Sequence, residues 1–213
     1  MTELSPALVR RLPQYFRILI KFYGSGKERI SSEELASELN LVPSQVRTDL
    51  KALGCTGQRS YGYGIPTLYK KIADILQLSD KFRAVIVGSG DILRAISTTD
   101  VFTKRGIKLC AVFTSKCETE RFDAPVCVEY NIDDFVEYCK KNPPDIVILG
   151  GEDKTPIEAF EYLDIQSRHN APAPEIWNFT NDDLTSDTLT VKNIHLVDYV
   201  MLLCYDAKKT KKD

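Results

Sequence analysis

The sequence predicts an α/β chain of two domains. An N-terminal winged helix-turn-helix occupies residues 1–80, a C-terminal Rossmann-type domain residues 81–205, and a lysine-rich tail residues 206–213. Three observations lead there. Apolar residues recur every three to four positions through the first 80 residues. Within that region two short helical stretches, separated by a tight turn, run into a glycine-rich segment. From residue 82 short β-rich runs alternate with helical ones, and the first run ends in "GSG".

Composition narrows the class. At 43% hydrophobic and 27% charged residues, the 213-residue chain is ordinary for a globular protein. No apolar run approaches the roughly 20 residues that span a bilayer. The opening "MTELSPALVRRLPQYF" lacks the basic-then-apolar order of a secretory signal, so a cytoplasmic protein is expected. Cys55, Cys110, Cys117, Cys127, Cys139 and Cys204 show no C-x-x-C spacing, and there are only two histidines, so no metal site is expected. The cysteines read as reduced cytosolic thiols. A redox role for Cys110, Cys117 or Cys127 would require exposure and easy ionisation. The net charge of −2 hides an asymmetry: residues 1–80 carry 11 Lys/Arg against 8 Asp/Glu, and residues 81–213 carry 17 against 22. A mildly basic N-terminal third suits a polyanionic partner.

The first helix can start at Ser5-Pro6, with Leu8, Leu12, Tyr15, Phe16, Leu19 and Phe22 on one face and Gly24 to Gly26 at its end. Pro13 should kink it or mark its true start. "SSEELASELN" opens with a capping box, Ser31 to Glu34, and Asn40 is a plausible stop. "LVPSQVRTDLKAL" starts a helix at Pro43, turns Val46, Leu50 and Leu53 inward, and leaves Gln45, Arg47, Thr48 and Lys51 on its other sides. Arg can fork to guanine, Gln can pair with adenine, and Lys or Thr can hold phosphates. "GCTGQRSYGYGIP" packs four glycines, two tyrosines and an arginine into 13 residues and reads as a β-hairpin wing, from which Arg59 could reach DNA. The same pattern also fits a plain helical interaction module. "IPTLYKKIADILQLSD" is an amphipathic linking helix, with Leu68, Ile72, Ile75 and Leu76 inward, that should end near Ser79-Asp80.

Strands are expected at "FRAVIVG", "IKLCAVF", "PDIVILG" and "PEIWNF", and helices at "DILRAISTTDVFTKR", "NIDDFVEYCKKN" and "PIEAFEYLDIQSRH". "IHLVDYVMLLCYDAKKTKKD" reads as a strand entering an apolar helix, then a disordered tail. In "VGSGDIL" Gly88 makes the turn with Ser89, and Gly90 lets the backbone approach a pyrophosphate beside Asp91 and Ile92. Leu93 stands where the fingerprint has its third glycine and should push the helix away or repack it. Asp91 opposes a phosphate at the same helix terminus. The second strand ends at Thr114-Ser115-Lys116, without the carboxylate that usually binds the ribose. Those groups suit a 2′-phosphorylated cofactor or a plain solvated loop. Gly150 and Gly151 allow close approach of a ligand, and Thr155-Pro156 can start the next helix. His169 and His195 have no partner at motif spacing, and Asp133-Asp134 and Asp182-Asp183 suit helix starts and turns. No catalytic constellation is evident, so an enzyme is not expected.

The order of parts resembles the Rex family of redox-sensing transcriptional repressors over nearly the full length. The resemblance lies in "RLPQYFR", "ISSEELASELNLVPSQVRTDLKALGCTGQRSYGY", "VGSG", "WNFT" and "VKNIHL". It implies a homodimer whose winged helix binds double-stranded DNA at an AT-rich inverted repeat, and a Rossmann domain that senses the NADH/NAD balance. It also implies that the C-terminal helix, here "YVMLLCY", swaps into the partner subunit. By position, Gln45, Arg47, Thr48 and Lys51 fall in the recognition helix, Arg59 and Tyr63 in the wing. Several positions depart from the family pattern. Gln58-Arg59-Ser60 replaces "KRG", "GSGDIL" replaces "GAGNLG", Thr114 replaces the ribose-binding Asp, a Tyr is missing near Thr99, and His195 replaces an acidic residue linked to signal coupling. The resemblance therefore implies either an NADH-responsive repressor or a DNA-binding relative with a lost or changed dinucleotide response.

Overall fold

A computed structural model describes residues 4–57, 61–78, 81–115, 128–151, 154–169 and 171–210. The chain divides into two compact units, Met1–Asp80 and Lys81–Asp213.

In the first unit α1 (Pro6–Gly24) begins where Ser5 caps it, its hydroxyl accepting from the Leu8 amide. Pro13 therefore lies inside the helix and does not start it. It is tolerated there because Pro13 and Val9, whose carbonyl loses its partner, are both exposed to water. β1 (Arg29–Ile30) follows, then α2 (Ser32–Leu39), in which both halves of the Ser31/Glu34 capping box are formed. Asn40 ends α2 in the left-handed conformation, with φ 54°. α3 (Pro43–Ala52) buries Val46 and Leu50, with Leu53 just beyond it, against Leu8, Leu12, Leu19 and Leu35.

β2 (Tyr63–Gly64) pairs antiparallel with β1, so among the described residues the glycine-rich segment joins a strand some 30 residues upstream, not a hairpin partner of its own. Arg59, with Gln58 and Ser60, lies outside the described residues. α4 (Ile65–Ile75) ends earlier than expected. Gln77 adopts φ 53°, and Ser79-Asp80 lie outside the described residues.

Among the described residues the second unit is built on a six-stranded, all-parallel sheet. Its strands are β3 (Phe82–Gly88), β4 (Ile107–Thr114), β5 (Val128–Asn131), β6 (Ile146–Gly150), β7 (Glu175–Asn178) and β8 (Val191–Asn193), in the spatial order β5-β4-β3-β6-β7-β8. This is the doubly wound order, which reverses between the first and fourth strands, here β3 and β6. Alternation along the central strands supplies both faces. Ala84, Ile86 and Ile148 pack with α5 (Asp91–Thr98) on one side. Val85, Val87 and Leu149 pack with α6 (Phe135–Lys141) and α7 (Thr155–Arg168) on the other.

Four expectations need correction. α5 stops at Thr98, because the "TTD" that follows turns the chain, and only a short 3-10 turn at Thr103–Arg105 remains of the rest. β5 was not expected, since its "VEYN" is short and half-exposed at the sheet edge. The last strand is Val191–Asn193, ahead of "IHL", and α8 (Leu196–Thr210) starts directly after it. α8 also carries regular backbone to Thr210 through most of the expected tail, because the alanine and lysines of "AKK" are good helix formers.

Candidate functional site

In the first unit the solvent face of α3 is set by what holds its inner face. Asp49, which is 3% exposed, receives both prongs of the Arg11 guanidinium at 2.8 and 2.7 Å, the Tyr15 hydroxyl at 3.1 Å and the Gln45 amide at 2.8 Å. Burial works to raise the Asp49 pKa. The hydrogen bonds from Arg11, Gln45 and Tyr15, with the Arg11 charge, outweigh it and hold the carboxyl below its ordinary value. Sequence patterning missed this anchor, because Asp49 lies on a polar-looking stretch and its partners Arg11 and Tyr15 come from α1. Gln45 is thereby half-buried and committed to Asp49.

Arg47, Thr48 and Lys51 are exposed. Thr48 turns its hydroxyl to the Ser44 carbonyl at 3.0 Å. Arg47 Nη1 donates to Ser32 Oγ at 3.1 Å and to Glu33 Oε1 at 3.2 Å. Arg47, Ser32 and Glu33 line a groove of about 680 Å³ that also includes Arg29, Tyr61 and Tyr63. Tyr63, expected in the wing, is half-buried beside the core, its ring where a Cβ on Gly57 would stand.

In the second unit the candidate cleft lies at the reversal point, outside the carboxyl ends of β3 and β6, where Gly88 and Gly150 pair in register. About 170 Å³ is lined by Ser89, Gly90, Asp91, Ile92, Leu93, Gly150, Gly151, Phe179 and Asn181. Gly88, at φ +118°, is obligatory beneath it, since a Cβ there would stand 1.8 Å from the Gly150 carbonyl oxygen. Gly90, at φ +103°, caps α5 and has nothing among the described residues within 4 Å of its missing Cβ, so the backbone there is open to a ligand.

Leu93 does not push α5 away. It is buried against Gly150, where a Cβ would lie 2.9 Å from the leucine Cγ and Cδ2. The close packing that the fingerprint secures with a glycine on the helix is secured here by a glycine on the strand.

The shape of this turn fits a dinucleotide's diphosphate, while the charge of Asp91 at its mouth opposes one. Thr114 is buried at the end of β4 and is not part of the cleft, Ser115 is exposed, and Lys116 lies outside the described residues.

Phe179 and Asn181 were missed because their approach depends on a folded loop. That loop is built by Asn178, whose amide donates to Asn193 Oδ1 at 2.8 Å and to the Asp182 carbonyl, while its own oxygen accepts from Thr180. The stretches "WNFT" and "VKNIHL" thus meet, which was the available signal. His195 does have a partner: its Nε2 lies 2.9 Å from Asp183 Oδ1, a contact that raises its pKa.

Among the described residues no group of His, Cys, Asp and Glu could hold a metal, and no helix is long and apolar enough to cross a membrane. Cys110 is half-buried, burial pushes the Cys139 thiol up to about 12, and Cys117 and Cys127 lie outside the described residues.

The family model "Putative DNA-binding protein N-terminus" matches residues 3–51. The chain is 32% identical to the redox-sensing transcriptional repressor Rex of Clostridium tetani (strain Massachusetts / E88), over 95% of this chain and 94% of that one. Against Rex of Clostridium botulinum (strain Alaska E43 / Type E3) it is also 32% identical, over 98% of each. It superposes on the crystal structure of RSP in complex with beta-NAD+ and operator DNA with a TM-score of 0.81 at 29% identity, covering 99% of this chain and 95% of that one. For RSP in complex with beta-NADH the TM-score is 0.80 at 28% identity, covering 99% and 97%. With the exposed face of α3, the reversal-point cleft and similarity along almost its whole length, the chain belongs to the Rex family of redox-sensing transcriptional repressors.

Proposed function

We propose that this chain represses transcription by binding an AT-rich inverted repeat as a homodimer in the cytoplasm, that NADH/NAD is its effector, and that it catalyses no reaction. The observation that carries this reading is near full-length similarity to a repressor solved with both beta-NAD+ and operator DNA. Arg47, Thr48 and Lys51 on the exposed face of α3 contact the DNA, with Arg59 joining them from the wing by position. Gln45 and Tyr63 support that face from behind.

The open backbone at Gly90, with Ser89, Ile92, Gly150 and Gly151, holds the diphosphate, and Phe179 and Asn181 close the other wall. The dinucleotide itself supplies a redox state that differs between its two forms. Release from DNA follows if one form binds one dimer geometry more tightly than the other, by a few kcal/mol.

A second reading keeps the DNA-binding dimer with a lost or changed dinucleotide response. Asp91 in the cleft wall and the lack of a carboxylate at the described end of β4 favour it. Calorimetric titration with NADH, NAD and NADPH, alongside anisotropy on an AT-rich inverted repeat, separates the two. NADH binding that releases the DNA supports the sensor. DNA binding untouched by any of the three supports the second reading.

A further inference from the structure

Arg47, one of the two exposed cations of α3, is not loose. Ser32 and Glu33 are the first two residues of α2, and both meet Arg47 Nη1. Ser32 Oγ, itself buried, donates to Glu33 Oε1 at 3.2 Å while accepting from Arg47, so the three groups close a small ring. The Glu33 carboxyl lies below its ordinary value, held there first by its own backbone amide at the helix start and then by Ser32. Glu33 is therefore a fixed negative charge on a surface read here as facing DNA, where it repels phosphate and lowers affinity for any sequence. Among the described residues only Nη1 of Arg47 is engaged, so the Nε–Nη2 edge keeps two parallel donors. That is the pair guanine N7 and O6 accept.

We infer that Glu33 is a specificity-determining positioning residue: it fixes Arg47 so that one edge of the guanidinium is presented to a guanine, at the expense of overall affinity. The inference rests on the DNA-binding reading above. Without Glu33 the guanidinium is free to turn to the nearest phosphate, and a base contact becomes a backbone contact.

The test starts with wild-type protein selecting its preferred duplex from a pool of AT-rich inverted repeats with randomised half-sites. Wild type, Glu33→Gln, Glu33→Asp and Arg47→Ala are then titrated by anisotropy on that duplex and on one with its G·C pairs replaced by A·T. Glu33→Gln is expected to bind the replaced duplex several-fold more tightly than wild type, and to lose about tenfold of the preference for G·C, as Arg47→Ala does. Glu33→Asp should restore part of it. Thermal melting should be unmoved, because an exposed ion pair contributes little to stability.

A Glu33→Gln protein that keeps the full preference overturns the inference, as does a selected site without G·C pairs. Failure of wild type to select any duplex removes the DNA-binding reading itself, and this inference with it.

Discussion

Leu93 and Gly150 fill one packing site from opposite sides, so each is tolerable only because of the other. A Cβ at Gly150 would stand 2.9 Å from Leu93, closer than carbon atoms pack. Gly150→Ala is expected to destabilise the second unit by about 1–3 kcal/mol through overpacking. The same substitution made in a Leu93→Ala background should cost clearly less, because the space is then available. Denaturant titrations of the four proteins in that cycle measure the coupling, and simple additivity would show that the two residues do not share the site.

His195 offers a second test at this scale. Its pKa is raised, chiefly by the hydrogen bond with Asp183. The stabilisation from this link is fully present below the ordinary histidine value of 6.5 and is lost as pH rises through the folded value. Amide exchange in residues 182–195 should therefore quicken on going from mildly acidic to alkaline pH beyond the intrinsic rate increase, and Asp183→Asn should abolish that extra change.

At the scale of elements, α3 is held to α1 by a polar joint inside an apolar core. Asp49 has four hydrogen bonds from Arg11, Tyr15 and Gln45, so its charge is fully partnered. Replacing one of its oxygens by an amide NH2 removes the charge and sets a donor against the donors of Arg11, Tyr15 or Gln45. Asp49→Asn is expected to lower the stability of the first unit by about 2–3 kcal/mol at neutral pH, below the usual range for a broken buried pair because Arg11 keeps some contact with water. The sign with pH follows from the depressed pKa. The Asp49 contribution is present above the ordinary aspartate value and is lost as pH falls through the folded one. The gap between wild type and Asp49→Asn should thus close in acid, which circular dichroism melts from pH 7 down to pH 3 would reveal.

At the scale of the whole molecule, α8 sets the largest question of assembly. Leu196, Tyr199, Met201, Leu202, Leu203 and Tyr205 are all more than half exposed. An apolar helix of this length left in water would be a liability, and a second copy of the chain is the partner that the family implies. Leu203→Glu, together with Tyr199→Glu, is expected to convert a dimer into monomers in sedimentation velocity at micromolar concentration. Binding to a full inverted repeat should fall with it, because two half-sites are no longer held together. A double variant that sediments as wild type would place the dimer contact elsewhere.

Periodicity and capping were enough to fix the two-part organisation. Ser31 and Glu34 cap α2 wherever that segment is helical, and Asn40 stops it, because these are contacts between neighbours in the chain. The parallel sheet was legible for a related reason: strands buried on both faces must be continuous apolar runs. β5 escaped because an edge strand need not be one. The motif "GSGDIL" lines the cleft at the reversal point, but whether Leu93 pushes α5 away or repacks was open from the sequence, which cannot show that the residue opposite is a glycine 57 positions later. The same limit hid Asp49 behind Arg11, Glu33 behind Arg47, and Asp183 behind His195. The chain by itself determined what depends on neighbours along it, namely helix starts and stops, the strand-turn-helix fingerprint and the family resemblance. Only the tertiary structure decided which polar groups satisfy one another, because a buried charge is stabilised by whatever the fold brings within hydrogen-bond reach, however distant in sequence.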